Sequence, residues 1–375
     1  MIYQRNILPE ILHWIGSPEI LILYGARQVG KTTLIKEFIK TRGDSVFLNC
    51  ELPAVSGLLE SRDLQAIVSL FGQKKIICLD EAQKVFNIGT ILKLIYDELP
   101  QYKIIATGSS SFDLSDRLVE PLTGRNIKFR LFPLSVSEIE SKHGWLWVLN
   151  SLNQLLVTGC YPGVVDLNAG DRQIKLSELT SDYLYQDILV YESVRNPSVI
   201  RNLLRALALQ AGYQVSVAEL SGLLGISRPT VIKYLDLLEK SFVIFRMPSY
   251  SRNLRNEIKK SQKFYFYDNG ILNALTGNFS PVQNRPDTGL LWENFCMAER
   301  MKQKGAGSPG MENMFFWRTY DGAEIDLVEV ADGTLKAFEF KWNIRRTPSL
   351  PDSFSDAYGV ESLTVITPKT LHLLK

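Results

Sequence analysis

Apolar runs of strand length alternate with helical runs over the first third of the chain. Ile20-Leu21-Ile22-Leu23-Tyr24, Ile76-Ile77-Cys78-Leu79 and Ile104-Ile105-Ala106-Thr107 are almost continuously apolar, the pattern of strands covered on both faces. Between them, Thr33-Leu34-Ile35-Lys36-Glu37-Phe38-Ile39 has helical spacing. This alternation up to about Leu134 predicts a parallel sheet with crossover helices, an α/β fold. From Ser135 to Gly212 the strand signal fades, and Leu152, Leu155 and Leu156, then Leu203, Leu204 and Leu207, recur at helical intervals. A short helix over Val217–Leu224, a turn at Gly225-Ile226 and a second helix capped by Ser227 follow. The second helix places Val231, Tyr234, Leu235 and Leu238 on one buried face, and Ser241–Arg246 reads as a strand after it. Beyond Asp287 a helix over Leu291–Glu299 precedes further strand patterns.

The turn after the first strand carries the clearest chemistry. Gly25-Ala26-Arg27-Gln28-Val29-Gly30-Lys31-Thr32, continued by Thr33, is a phosphate-binding loop set between strand and helix. Its glycines let main-chain N–H groups wrap an anion, Lys31 reaches the β- and γ-phosphates, and the Thr32 hydroxyl is suited to Mg²⁺. The next apolar run ends in Asp80-Glu81. Asp80 is expected to hold the Mg²⁺, and Glu81 to polarise the attacking water. ATP and Mg²⁺ are therefore the expected cofactors, and hydrolysis the expected reaction.

Ligands of such sheets collect at the carboxyl ends of strands. The third run ends in Thr107-Gly108-Ser109, so a hydroxyl there is expected near the γ-phosphate, with Ser109 the first choice and Thr107 the second. Arg125 is the candidate for offsetting charge on the transferring phosphoryl group, in cis or from a neighbouring subunit.

Composition narrows the class. The chain has 375 residues, too many for one ordinary core, with 45% hydrophobic and 22% charged residues, typical of a soluble protein. A net charge of +2 does not announce a nucleic-acid binder. Four scattered cysteines and three distant histidines give no zinc or disulfide spacing, and no apolar stretch has membrane-spanning length. The expectation is a cytoplasmic protein with no membrane partner.

Local charge changes this picture around the second helix of the pair. Between Arg228 and Lys263 the basic residues are Arg228, Lys233, Lys240, Arg246, Arg252, Arg255, Lys259, Lys260 and Lys263, against Asp236, Glu239 and Glu257. Arg228, Thr230 and Lys233 lie off the apolar face, where they can meet a DNA groove. The alternative is that this module docks a protein partner, its lysines being solvated.

In the last quarter, Glu293 lies on a helix, Asp326 on a strand, and Glu339 and Lys341 on another strand, two residues apart and so on one face. Asp326 and Glu339 are placed to hold a metal, Glu293 to support them, and Lys341 to orient or deprotonate a water. The set resembles the PD-(D/E)xK nuclease-like fold, which implies either Mg²⁺-dependent cleavage of DNA or an inherited fold kept as a docking surface.

The loop at Gly25–Leu34, Leu79-Asp80-Glu81, Thr107-Gly108-Ser109, Gly124-Arg125 and Pro133-Leu134-Ser135 resemble those of the prokaryotic predicted AAA+ ATPases that carry a C-terminal domain of unknown function. The similarity runs on through Tyr183–Ile188 and Lys263–Gly270 to Gly289–Asn294. The resemblance implies a P-loop AAA+-like parallel-sheet ATPase domain at 1–140, a helical connector at 141–212, a winged helix at 213–284 and an α/β PD-(D/E)xK nuclease-like domain at 285–375. A homo-oligomer is compatible with it. The expected function is ATP hydrolysis coupled to the C-terminal half acting on DNA. The alternatives are a nucleotide-gated switch that binds a protein partner, and an ATP-regulated DNA-binding protein.

Overall fold

The computed structural model describes residues 2–108, 122–183, 196–251, 262–304, 313–331, 333–344 and 346–374. The chain divides into two compact units, the first built mainly from 1–134 and the second from most of 135–375.

In the first unit, α1 (Leu8–His13) precedes β1 (Ile20–Tyr24), α2 (Lys31–Lys40) and β2 (Ser45–Asn49). Then come α3 (Pro53–Glu60), α4 (Leu64–Phe71), β3 (Ile76–Asp80), α5 (Ile88–Glu98), β4 (Lys103–Gly108) and β5 (Asn126–Arg130). The strands form one parallel sheet in the order β2-β3-β4-β1-β5. The apolar runs explain it: β1 and β3 are buried at all five positions, as central parallel strands must be. The order has a consequence for chemistry, because β4 lies between β1 and β3 and so inserts its carboxyl end between the phosphate loop and the acidic pair.

The second unit opens with helices α6 (Val136–His143), α7 (Trp145–Thr158), α8 (Pro162–Val165), α9 (Ala169–Glu178) and α10 (Pro197–Leu209). Ser135 starts α6 with a full capping box, its hydroxyl accepting from the Glu138 N–H while Glu138 accepts from the Ser135 N–H. A short β6 (Gln214–Val215) leads into α11 (Val217–Leu224), α12 (Arg228–Lys240), β7 (Ile244–Met247) and β8 (Gln262–Phe266). Gly225, in the left-handed region at φ 66°, makes the turn between α11 and α12. The expected buried face of α12 is observed, with Val231, Tyr234, Leu235 and Leu238 all buried. The strand that follows begins later than its sequence suggests, at Ile244, and β8 sits between β6 and β7 in an antiparallel sheet.

The chain ends with α13 (Asn269–Thr276), α14 (Thr288–Lys304), β9 (Met314–Arg318), β10 (Glu324–Ala331), β11 (Thr334–Phe340), α15 (Asp352–Tyr358) and β12 (Leu363–Ile366). The four strands run in the order β12-β11-β10-β9, antiparallel except for β11 against β12. Trp317, Ile325, Val328, Ala337 and Phe354 form a buried cluster on one face of this sheet. Burying each large apolar side chain there stabilises by about 1.5–3 kcal/mol. Among the described residues no helix is long and apolar enough to cross a membrane.

Candidate functional site

The phosphate loop leaves β1 at Tyr24 and turns under close packing. A Cβ on Gly25 would lie 2.0 Å from the Leu131 carbonyl oxygen, so only glycine fits there. Gly30, at φ 101°, then starts α2, whose first N–H groups and positive dipole end face the loop. Lys31 is buried, and its ammonium donates to the carbonyls of Gly25 and Ala26, both at 2.8 Å. This places the ammonium inside the loop, where a phosphate would compete for it.

Arg5 braces the same loop from outside, and nothing in the sequence marks it. Its buried guanidinium donates from Nη1 to the Val29 carbonyl and from Nη2 to the Phe132 carbonyl, each at 2.6 Å. One planar fork thus ties the loop to the segment after β5.

The acidic end of β3 meets both hydroxyls expected of it. Thr32 donates to Asp80 Oδ2 at 2.8 Å, and Thr107 donates to Asp80 Oδ1 at 2.5 Å. Asp80 is 4% exposed, so its oxygens are met by these two donors rather than by bulk water. The Glu81 N–H donates to Thr107 Oγ1 at 3.3 Å, which joins Thr32, Asp80, Thr107 and Glu81 in one chain. Glu81 has a left-handed backbone, φ 53°, a conformation that costs a residue with a Cβ about 1–2 kcal/mol. That bend ends the strand at once, and Gln83 Nε2 donates to the Glu81 carboxylate. The field of the acidic pair reaches its neighbours: burial and then the charges of Asp80 and Glu81 push the Cys50 thiol up to about 12, and burial and then Asp80 do the same to Cys78.

Ser109 lies outside the described residues, and the hydroxyl that the structure places at the acidic pair is Thr107. Arg125 is at the wrong edge of the sheet for a role in its own chain. Because β5 runs parallel to β1 with Ile20 opposite Asn126 and Tyr24 opposite Arg130, Arg125 sits five residues short of the loop end, about 16 Å at the rise of a strand. It pairs with Asp97 at 3.1 Å and lies over the Tyr96 ring. The arginine at the loop end is Arg130, whose Nε donates to the Tyr24 hydroxyl at 3.1 Å.

The four C-terminal candidates are brought together. Leu327 faces Phe338 across the ladder, which sets Asp326 beside Glu339. Lys341 Nζ lies 2.5 Å from Glu339 Oε1 and 3.9 Å from Asp326 Oδ2. Burial first, then the charges of Glu293 and Glu339, hold the Asp326 carboxyl well above the usual carboxylate range. Glu339 Oε2 is buried and has no hydrogen-bond partner.

One oxygen each of Asp326 and Glu293 is committed. Asp326 Oδ2 accepts the Phe340 N–H at 2.8 Å, and Glu293 Oε1 accepts from the Tyr265 hydroxyl at 2.6 Å and from Lys263 at 3.2 Å. Among the described residues no group of three or more His, Cys, Asp or Glu is disposed to hold a metal ion. Glu293 is thus held to β8 through Oε1 and Asp326 to the backbone through Oδ2, while Lys341 lies on Glu339 Oε1.

The basic patch also shrinks. Arg246 is bound by Asp236 at 2.9 Å and by Glu239 at 2.7 Å, and Lys263 is 3% exposed. Arg252, Arg255, Lys259 and Lys260 lie outside the described residues. Arg228 and Lys233 are exposed on α12, whereas Thr230 shares a hydrogen bond with the capping Ser227.

The Tyr267–Gly270 and Glu293-Asn294 segments have a structural role that the sequence did not reveal. Buried Asn294 accepts from the Phe266 N–H and donates to Asn269, which in turn donates to the carbonyls of Leu156 and Leu291. Asp268 accepts from the N–H groups of Cys160, Gly270 and Ile271, and burial still pushes its carboxyl up to about 6.

Comparison with known proteins fits this division of chemistry. Residues 17–140 match the family model of an AAA domain. Residues 149–282 and 288–373 match two models each described as a domain of unknown function, DUF8612 and DUF4143. An uncharacterized protein of Mycobacterium tuberculosis is 26% identical over 362 residues, spanning 95% of this chain and 77% of that protein. An uncharacterized protein of Methanocaldococcus jannaschii is 25% identical over 322 residues, 80% of this chain and 69% of its own length. Among solved structures, a Walker-type ATPase of Pyrococcus abyssi covers 73% of this chain and 96% of its own, with a TM-score of 0.49 and 21% identity. The match of residues 17–140 to an AAA domain supports nucleotide hydrolysis by the first unit.

Proposed function

We propose that the chain is a Mg²⁺- and ATP-dependent switch: hydrolysis in the first unit drives the helix pair α11 and α12, read as a winged helix, to engage and release DNA. The single observation that carries the ATPase reading is the hydrogen-bonded chain Thr32–Asp80–Thr107–Glu81 beside the buried Lys31.

The donors suit a hard divalent cation, since the Thr32 hydroxyl and the Asp80 carboxylate converge to 2.8 Å and both are oxygen ligands. Thr32 and Asp80 would hold Mg²⁺, which when bound neutralises charge on the β- and γ-phosphate oxygens. The residues do the rest. Loop N–H groups and Lys31 orient the triphosphate, Glu81 accepts a proton from the attacking water, and Thr107 keeps Asp80 and Glu81 in register. Gln83 orients the Glu81 carboxylate through the bond from its Nε2.

DNA is the ligand assigned to α12 because Arg228 and Lys233 are exposed near its start. A protein partner is the second reading, favoured by Leu223 and Ile232, which are 64% and 46% exposed on the same two helices. An ATPase assay with and without duplex DNA over a range of salt separates them. Stimulation that fades with salt and with Arg228→Ala plus Lys233→Ala supports DNA; no stimulation at any salt refutes it.

A further inference from the structure

Lys263 occupies an unusual place. It comes from β8 of the three-stranded sheet, yet its ammonium is buried between carboxylates of α14 and β10: 2.6 Å from Glu324 Oε1 and 3.2 Å from Glu293 Oε1, over the Phe316 ring at 5.4 Å. Taking an ammonium out of water costs several kcal/mol unless charge and hydrogen bonds return it. Two carboxylates and an aromatic face do so here.

We infer that Lys263 is the resident cation of the C-terminal acidic cluster, standing in place of the divalent metal that Glu293, Asp326, Glu339 and Lys341 suggest by their sequence pattern. Three cations already face the four carboxylates. Glu293, Glu324, Asp326 and Glu339 are met by Lys263, by Lys341 and by Arg318, which lies 3.6 Å from Glu324. Geometry agrees. Magnesium demands an octahedron of oxygens at about 2.0–2.1 Å. An ammonium instead uses donors at hydrogen-bond length, as Lys263 does. The Tyr265 hydroxyl takes up the same Glu293 oxygen, so Oε1 is already met by two donors from one strand.

The consequence concerns how the second unit is held. Lys263 is paired on one side with Gln214 and on the other with Met247, so the strand that carries the cation is also the centre of the sheet behind α11 and α12. The acidic cluster thereby anchors that sheet to α14 and β10. A divalent ion entering the cluster would have to expel Lys263 and loosen the anchor. The inference stands apart from ATP hydrolysis.

The test is a count of Mn²⁺ bound to the full chain without nucleotide, by equilibrium dialysis and by electron paramagnetic resonance. Wild type, Asp326→Asn and Glu339→Gln should bind equal numbers of ions. Lys263→Met should gain an ion that Lys263→Met/Asp326→Asn lacks. An ion present in wild type and lost in Asp326→Asn or Glu339→Gln would overturn the inference, as would a folded Lys263→Met that gains none. Should Lys263→Met fail to fold, the comparison of wild type with Glu339→Gln still decides: equality supports the resident cation and loss refutes it. The double variant Lys263→Met/Glu324→Gln, which removes both members of the Lys263–Glu324 pair, gives a second background for the gain.

Discussion

Arg5→Ala removes the guanidinium that joins two carbonyls, those of Val29 in the phosphate loop and Phe132 beyond β5. Both bonds are buried, and hydrogen bonds to a charged group contribute about 1.5–3 kcal/mol each. The two together are therefore worth about 3–6 kcal/mol, shared between global stability and the order of the loop. If about 2 kcal/mol of this pre-organises the loop, ATP affinity falls about thirtyfold. Arg5→Lys, with a single ammonium in place of a fork, should recover part of the loss. Calorimetric titration with ATP and Mg²⁺, paired with thermal unfolding of each variant, reads both quantities. A folded Arg5→Ala whose ATP affinity stays within about twofold of wild type, well under 1 kcal/mol, would refute the bracing role.

Other outcomes follow from the same geometry. Glu81→Gln should bind ATP normally and release no phosphate, whereas Lys31→Ala should lose binding; equal loss of binding in both would end the separation of roles. Arg125→Ala should leave hydrolysis unchanged in dilute protein, and a defect that grows with protein concentration would instead reveal action on a neighbouring subunit. Asp268 carries a pH signature, since its folded carboxyl titrates near 6, above the ordinary 3.8. Its contribution is thus fully present below the ordinary value and is lost as pH rises through about 6. Relative to Asp268→Asn, wild type should lose stability between pH 4 and pH 6, by up to about 3 kcal/mol. Denaturant unfolding at the two pH values checks this, and an unchanged difference would exclude the titration.

The phosphate loop and Asp80-Glu81 were legible because each is contiguous and its spacing carries its own mechanism. What escaped depended on strand order. The sequence cannot show that β4 lies between β1 and β3, so Thr107 ranked second to Ser109, yet Thr107 is the hydroxyl seen on Asp80. Arg125 misled for a related reason: strand direction, invisible in the run of residues, puts it at the amino end of β5 and Arg130 at the loop. Arg5 and Lys263 act at distances of 24 and 30 residues or more along the chain, with no local motif to announce them. The helix pair was read correctly from its turn glycine and its buried stripe, but its positive charge was overcounted. Arg246 and Lys263 carry charge in the sequence and are neutralised by neighbours in the fold.

Nucleotide binding by the first unit is the claim on which the account rests. It is tested most directly by calorimetric titration of the purified chain with ATP in the presence of Mg²⁺, alongside Lys31→Ala. The account predicts saturable heat for the wild-type chain and none for the variant. Absence of heat from a folded wild-type chain, with GTP as well as with ATP, would contradict it.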